Sequence, residues 1–402
     1  MKKSLLLANV LGVLFALLGF SIVTPIAEGV ATLFLNLLKF ISLPIVFFSI
    51  TSTITSSESL KDIHHLGLKI LKYTLLTTFV AALIGLLLFV LIDPVSLSSS
   101  GVLAPTQNFL QGYKEALSKL IPSNFIQAFA ENNVIGIAFI GGLFSIATLL
   151  LPEENKKFLN QFFSSIFQAL LKMTSLILTI LPIGIFAFVY LLVMDLKEDV
   201  TKMQNIGLYL ICIVAANLIQ GALVLPALLK VKGLSVRAVF KGTYRALVLA
   251  FFSKSSSIAL PLNLKLMKEN LKIDEKVSNF SLPLCSIINM NACAAFILIT
   301  SLFVCNCEGI NFSLPELLVW VVVATIAAVG NAGVPMGCYF LTGALLTGMN
   351  VPLKMLGIIL PFYALLDMLE TAINVWSDSC ITVIVDKEIK EAKKPIEDQI
   401  VV

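Results

Sequence analysis

The chain has 402 residues, of which 58% are apolar and 13% charged, with a mean hydropathy of +0.97. Soluble domains carry roughly 25% charged residues, so water cannot cover this chain as a globular surface, whereas lipid can. Its 28 basic and 24 acidic residues leave a net charge of +4, too mild to point to nucleic acid, and no basic patch interleaves with aromatics. At about 20 apolar residues per spanning helix there is room for eight or so spans, and runs of that length are too long for barrel strands. Composition therefore predicts an all-α polytopic membrane protein.

Met1-Lys2-Lys3 precedes an uncharged stretch from Ser4 to Ala27, 24 residues long. Signal-peptide cores run about 7–15 residues, so this reads as an uncleaved first span. Seven uncharged stretches are long enough to cross a bilayer: 4–27, 40–57, 73–92, 132–152, 173–194, 204–229 and 277–307. The positive-inside rule places Lys2 and Lys3 in the cytoplasm. The next inner loops carry Lys61, Lys69 and Lys72, then Lys156, Lys157 and Lys172. After the sixth span come Lys230, Lys232, Arg237, Lys241 and Arg245 without an acid among them. The outer loops hold only Lys114, Lys119, Lys197 and Lys202, so the alternation is consistent through six spans.

Two segments break the pattern. Residues 246–264 are apolar but contain Phe252-Ser253-Lys254-Ser255-Ser256-Ser257 and then Pro261, with basic residues on both flanks. Both ends inside means a re-entrant hairpin. Residues 317–353 form an uncharged run broken by Gly330-Asn331-Ala332-Gly333-Val334-Pro335-Met336-Gly337. The arm before the break is about 16 residues, or about 24 Å of helix, and the arm after it about half that, both short of a ~30 Å hydrocarbon core. A second hairpin from the outside leaves the last span ending in the cytoplasm at Lys387, Lys390, Lys393 and Lys394. Irregular backbone at membrane depth survives only when buried or lining a cavity, so two broken elements point to a binding site. Helix packing alone also favours Gly and Ser.

The final membrane segment places Asp367, Glu370, Thr371, Asn374 and Asp378 at helical spacing on one face. Each acid near the bilayer centre costs roughly 2.5–3.5 kcal/mol, so such a stripe must face cations, water or donors rather than lipid. An ion pair of this stripe with Lys254 is the structural alternative. In the seventh span, Ser286-Ile287-Ile288-Asn289-Met290-Asn291-Ala292-Cys293 is polar at mid-depth without any charge. Unwinding there exposes carbonyls which, with amide oxygens and a carboxylate such as Asp378, suit sodium. The serine run and the Gly-rich break offer backbone amides to a substrate carboxylate. Together these features describe a site for a zwitterion plus a cation.

The seven cysteines (Cys212, Cys285, Cys293, Cys305, Cys307, Cys338, Cys380) lie mostly inside apolar runs and read as core packing; Cys305-x-Cys307 has no matching pair for a metal. His64 and His65 sit in a short polar loop and read as surface residues. An intramembrane aspartyl protease needs two facing carboxylates, whereas Asp367 and Asp378 lie 11 residues and about 16 Å apart on one helix. A serine hydrolase needs a base near Ser255–Ser257, and adjacent Lys254 is poorly placed for a dyad. The chain is thus not expected to be an enzyme. A channel remains an alternative, but a plain first half and a broken, polar second half fit a moving site better.

These segments resemble the glutamate transporter family, the dicarboxylate/amino acid:cation symporters, over nearly the whole chain. The likeness rests on Leu37-Leu38-Lys39-Phe40-Ile41-Ser42-Leu43-Pro44, Ser255-Ser256-Ser257 with Leu260-Pro261, Asn289-Met290, Ala332-Gly333-Val334-Pro335, and Asp367…Thr371…Asn374…Asp378. The resemblance implies a homotrimer in a bacterial inner membrane, each chain with eight transmembrane helices plus two re-entrant hairpins in scaffold and transport domains. Its divisions fall at 1–66 (scaffold spans 1 and 2), 67–95 (transport span 3), 96–203 (outer loop, scaffold spans 4 and 5), 204–386 (transport core) and 387–402 (cytosolic tail). Asp367 then takes the substrate amine. Asn374, with amides around Ser256, Ser257 and Gly333, takes its carboxylate, and Thr371 lies on the same substrate-facing stripe. Asn289, Asn374 and Asp378 form one sodium site, Met290 and hairpin carbonyls another, and Thr77 and Thr78 with Asn291 a third.

Two departures set the expected cargo. Acidic-substrate members carry an arginine where this chain has Glu370, and at about 5 Å and an effective dielectric near 20 a carboxylate cargo meets about 3 kcal/mol of repulsion. The Glu-Thr-Ala-x-Asn pattern is similar to the sodium:serine/threonine branch, in which Glu370 accepts a substrate hydroxyl. Cys293 stands where the family has threonine, and Asn291 replaces the carboxylate of the third sodium site, which implies fewer coupled ions. The expectation is a sodium-coupled, elevator-type importer of small neutral amino acids. The alternative is an acidic amino acid or dicarboxylate symporter of the same fold, with Lys254 supplying the positive charge and sodium or protons coupling.

Overall fold

In a bilayer the backbone finds no water, so an apolar chain of this length must close its hydrogen bonds within helices. The computed structural model describes residues 2–18, 22–55, 66–95, 121–131, 133–198, 201–331 and 336–397, and among these it contains helices and no strand. His64, His65, Gly333, Lys114 and Lys119 lie outside the described residues.

The first half begins with α1 (Lys2–Leu18), α2 (Val23–Thr55) and α3 (Leu68–Ile92). It continues through α4 (Phe125–Ala130), α5 (Val134–Leu149), α6 (Glu153–Thr179) and α7 (Leu181–Glu198). The second half holds α8 (Thr201–Ile219), a π-helical turn Gln220–Val224, α9 (Leu225–Val231), α10 (Val236–Ser253) and α11 (Ser256–Leu271). It ends with α12 (Glu275–Ile288), α13 (Asn291–Cys307), α14 (Leu314–Val329), α15 (Gly337–Gly348) and α16 (Lys354–Glu397). Among the described residues, five stretches are long and apolar enough to cross a membrane: Leu68–Ile92, Glu153–Thr179, Met203–Val231, Glu275–Cys307 and Lys354–Ala392.

Three expected boundaries move. The stretch 4–27 is not one helix, because α1 ends at Leu18 and α2 starts at Val23. That second helix runs 33 residues through Glu28 and Lys39, charges that had marked its border. The stretch 173–194 is split between α6 and α7 next to Pro182, which has no amide hydrogen to continue the ladder and suits a helix's first turn. The helix ending the chain continues to Glu397. Charge marks where lipid stops, not where a helix does.

Helix α2 packs on α5, α6 and α7, and α1 on α7. Phe47 meets Phe125, Phe144 and Phe163 edge to face there, at ring separations of 5.6, 6.5 and 6.4 Å. Against α16 pack α3, α8, α10, α11, α12 and α13, and both α14 and α15 lie on α13. Every residue of α13 from Asn291 to Cys305 is buried, as expected of a helix apolar on all sides. At the far end of α16, Glu388 holds Lys232 at 2.7 Å and Lys69 at 3.5 Å and accepts from the Tyr73 hydroxyl. That hydrogen bond from Lys232 to the Glu388 carboxylate raises the ammonium pKa above the ordinary lysine value.

Without a hydrophobic drive between helices in lipid, close approach depends on small residues. A Cβ on Gly12 would lie 2.9 Å from Val189 Cβ, and one on Gly184 2.8 Å from the Phe34 ring, whereas Gly142 has nothing within 4 Å. Gly184→Ala is expected to lose about 1–3 kcal/mol through overpacking. Gly142→Ala should be neutral or gain up to about 1 kcal/mol from helix propensity. Melting of the purified protein in detergent distinguishes the two.

Candidate functional site

Four interruptions or polar faces meet at one place. Between α10 and α11 the chain turns through Lys254, whose φ of 56° is left-handed, and Ser255, whose side chain caps α11 by accepting from the Ile258 amide at 3.3 Å. This leaves Ser256 buried at the start of α11, a 16-residue helix whose free amides and dipole favour an anion. Between α12 and α13 the helix opens at Asn289 and Met290. Between α14 and α15 the break ends at Met336, again at positive φ (61°), and Gly337, where a Cβ would overlap the Asn331 side chain. The fourth component is the polar stripe of α16.

These elements enclose a cavity lined by Lys254, Ser256, Met290, Cys293, Asn331, Cys338, Asp367, Glu370, Thr371 and Asn374. Its open volume is about 20 Å³, room for roughly one water centre, so its walls must part to admit an amino acid. Asp367 (6% exposed) and Glu370 (1%) both reach it. Lys254 donates to the Ala364 carbonyl and interacts electrostatically with Asp367, which offsets part of the acidic charge. Glu370 receives only a long hydrogen bond at Oε2, from the Tyr363 hydroxyl at 3.5 Å. Among the described residues its Oε1 has no partner. A buried carboxylate oxygen in that state is an acceptor awaiting a donor.

One helical turn or more further along α16 the chemistry changes to oxygen alone. Asn289 Nδ2 donates to Asp378 Oδ1 at 2.8 Å, while Asn289 Oδ1, fully buried, has no partner. A free amide oxygen beside a buried carboxylate suits a hard cation. Asn374 is turned the other way: its Oδ1 accepts from the Ala292 amide at 3.0 Å, and its Nδ2 faces Met290 Sδ and Cys293 Sγ at 3.4 Å each. A third group joins Thr77 and Thr78, which donate to Asn291 Oδ1 at 3.2 and 2.7 Å, while Asn291 Nδ2 donates to Ser377 at 2.6 Å. Both ends of the Asn291 amide are thus satisfied within the protein.

Of the residues singled out in the sequence, Ser256, Met290, Cys293, Asp367, Glu370, Thr371 and Asn374 line one cavity, with Asn289 and Asp378 paired beside it. Ser257 lies outside this lining: it is exposed, because its position on α11 turns it away. The sequence reading missed Asn331 and Cys338. Cys338 reads from its apolar run as packing, yet its sulfur is paired with that of Cys293 across 45 residues, at a Cα separation of 5.4 Å. Asn331 Nδ2 donates to both sulfurs, at 3.1 and 3.3 Å. The position of Asn331 within the Gly-rich break was the available signal.

Residues 1–388 match the sodium:dicarboxylate symporter family. The chain belongs to that family. The chain is 25% identical over 393 residues to a proton/sodium-glutamate symport protein of Geobacillus stearothermophilus, covering 95% of this chain and 92% of the relative. It is 26% identical over 385 residues to neutral amino acid transporter B(0) of Oryctolagus cuniculus, covering 86% and 71%. It is also 26% identical over 450 residues to a Caenorhabditis elegans protein named for sodium-dependent excitatory amino acid transport, covering 96% and 90%. The family is one of transporters, not enzymes, and its symporter name agrees with an expected membrane chain that couples amino acid or dicarboxylate movement to an ion.

If the Asn289–Asp378 oxygens hold sodium in this symporter, the ion stabilises the folded protein by mass action. Sodium chloride should then raise the melting temperature in detergent more than choline chloride does. Asp378→Asn removes the charge and keeps the shape, costing about 1.5–3 kcal/mol of ion binding, and should abolish most of that increment.

Proposed function

We propose that this protein is a sodium-coupled importer of small neutral amino acids, serine or threonine first. The observation that carries the reading is Glu370: a buried carboxylate on the cavity wall whose Oε1 has no partner. A substrate hydroxyl satisfies that oxygen. A substrate carboxylate would instead face it at about 3 kcal/mol of repulsion in an effective dielectric near 20.

In this reading Asp367 binds the cargo ammonium, and the start of α11 at Ser256, with the amide of Asn374 and the backbone around Gly333, binds its carboxylate. Thr371 lies beside them, its hydroxyl held by the Asp367 carbonyl at 2.7 Å. Cys293 sets the small side-chain pocket. Sodium occupies the oxygens of Asn289, Asn374 and Asp378, and Met290 with hairpin carbonyls serves a second ion. The group of Thr77, Thr78 and Asn291 lacks a carboxylate, so fewer ions couple than in acidic-substrate relatives. The two broken elements are re-entrant hairpins. The core at 204–386, with the third span, moves as an elevator against a scaffold of spans 1, 2, 4 and 5. Three such chains assemble in the bacterial inner membrane with both termini cytoplasmic. Relatives named for neutral amino acid, glutamate and excitatory amino acid transport all match at 25% or 26% identity, so the cargo class rests on Glu370 rather than on likeness to any one relative.

A second reading, an acidic cargo, has in its favour Lys254 and the likeness to relatives named for glutamate and excitatory amino acid transport. Lys254 lines the same cavity, and with it a dicarboxylate or acidic amino acid would find a counter-charge. Its ammonium is already engaged by the Ala364 carbonyl and by Asp367, so it is the weaker reading.

In proteoliposomes under an inward sodium gradient, labelled serine uptake should be suppressed by excess threonine and unaffected by equal glutamate or aspartate. Stronger competition by the acidic pair establishes the Lys254 reading instead. Glu370→Gln keeps an acceptor but loses its charge, about 1 kcal/mol or roughly fivefold in the KM for serine. The KM for alanine, which has no hydroxyl, should change less.

A further inference from the structure

One wall of the cavity is sulfur. Cys293 Sγ, Cys338 Sγ and a carboxylate oxygen of Glu370 lie within 4.8 Å of one another, and all three residues are buried. Met290 lines the same cavity. Each ligand comes from a different helix: Cys293 from α13, Cys338 from α15 and Glu370 from α16. We propose that, in its dithiol form, this cluster binds one thiophilic divalent cation of the Zn²⁺ or Cd²⁺ class, and that the bound ion closes the cargo site.

Thiolates select soft and borderline ions, whereas oxygen sets such as Asn289 with Asp378 suit hard ones. Two sulfurs and one carboxylate are three of the four ligands of a tetrahedral site, leaving the fourth for water. The cavity, at about 20 Å³, has room for a single ion. A carboxylate oxygen of Glu370 lies within reach of both sulfurs and supplies the third ligand. The structure holds the two sulfurs as a pair; reduction by a phosphine, which gives up two electrons and becomes the phosphine oxide while water supplies the oxygen and two protons, leaves two thiols at the same 5.4 Å Cα separation. At metal–sulfur bonds of about 2.3 Å the sulfurs must part to roughly 3.8 Å, within reach of side-chain rotation. Metal binding then releases the two thiol protons.

Such an ion ties α15 to α13 and α16 and occupies the acceptor assigned above to the cargo hydroxyl. The block on transport therefore rests on the cargo reading; the binding does not. The test takes full-length protein in detergent, reduced with a phosphine and titrated anaerobically with Cd²⁺. One Cd²⁺ per chain should bind with the ultraviolet charge-transfer band of cadmium thiolate, reversed by a chelator. Loss of an outer-shell partner typically weakens a metal site 10–100-fold, so loss of a ligand in Cys338→Ser should cost roughly tenfold or more. Cys338→Ala, if serine misfolds, should do the same. Cys307→Ser, remote from the cavity, should leave band and affinity unchanged. In proteoliposomes Cd²⁺ should inhibit uptake until chelator is added. No stoichiometric band in the reduced protein, or one indifferent to Cys338, overturns the proposal. So does a Cys293–Cys338 cross-link that mass spectrometry still finds after reduction. Metal binding without inhibition would keep the site and contradict the cargo assignment of Glu370.

Discussion

Three carboxylates on one buried helix face, Asp367, Glu370 and Asp378, set the terms for the rest of this molecule. At roughly 2.5–3.5 kcal/mol each at bilayer depth, they cannot be left to lipid, nor is water plentiful in a cavity of this size. The surrounding chain supplies what they need. Lys254 is brought to Asp367 by a left-handed turn between two helices, and Asn289 is brought to Asp378 by an unwound turn between two others. Two of the three breaks thus deliver a polar partner to α16, and the third brings Asn331 to the paired sulfurs.

Among the described residues, Glu370 Oε1 and Asn289 Oδ1 are buried acceptors without donors, and Asn331 Oδ1 on the cavity wall is another. Such atoms destabilise an empty protein by about 1–3 kcal/mol each, and that deficit becomes binding energy when a hydroxyl or cation arrives. The first two lie in different surroundings: one beside sulfur and the cargo cavity, the other among oxygens. In the proposed reading the first takes the cargo hydroxyl and the second the cation, with Glu370 and Asp378 both on α16.

Much of this was legible in the chain. Polar residues recurring at helical spacing in an apolar segment identified the α16 face, and Asn289-Met290 and Lys254-Ser255 stood out because polarity at mid-span has few structural uses. Helix ends were less legible: α2 passes straight through Glu28 and Lys39, since a charge near the interface can snorkel without ending a helix. Ser257 illustrates the limit of motif reading, as neighbouring serines on a helix point 100° apart and only Ser256 reaches the cavity. Cys338 and Asn331 were hidden for another reason. A cysteine in an apolar run looks like packing, and only the folded chain brings it against Cys293 from 45 residues away.

In the proposed reading one conformation of this site binds a neutral amino acid and sodium cooperatively. Calorimetric titration of serine into the purified protein, in sodium chloride and again in choline chloride, tests it without requiring transport. Binding linkage requires serine affinity to rise with sodium, by a factor of about 5–150 for typical coupling energies, with no heat from glutamate. Serine affinity indifferent to sodium, or glutamate binding where serine does not, would contradict the account.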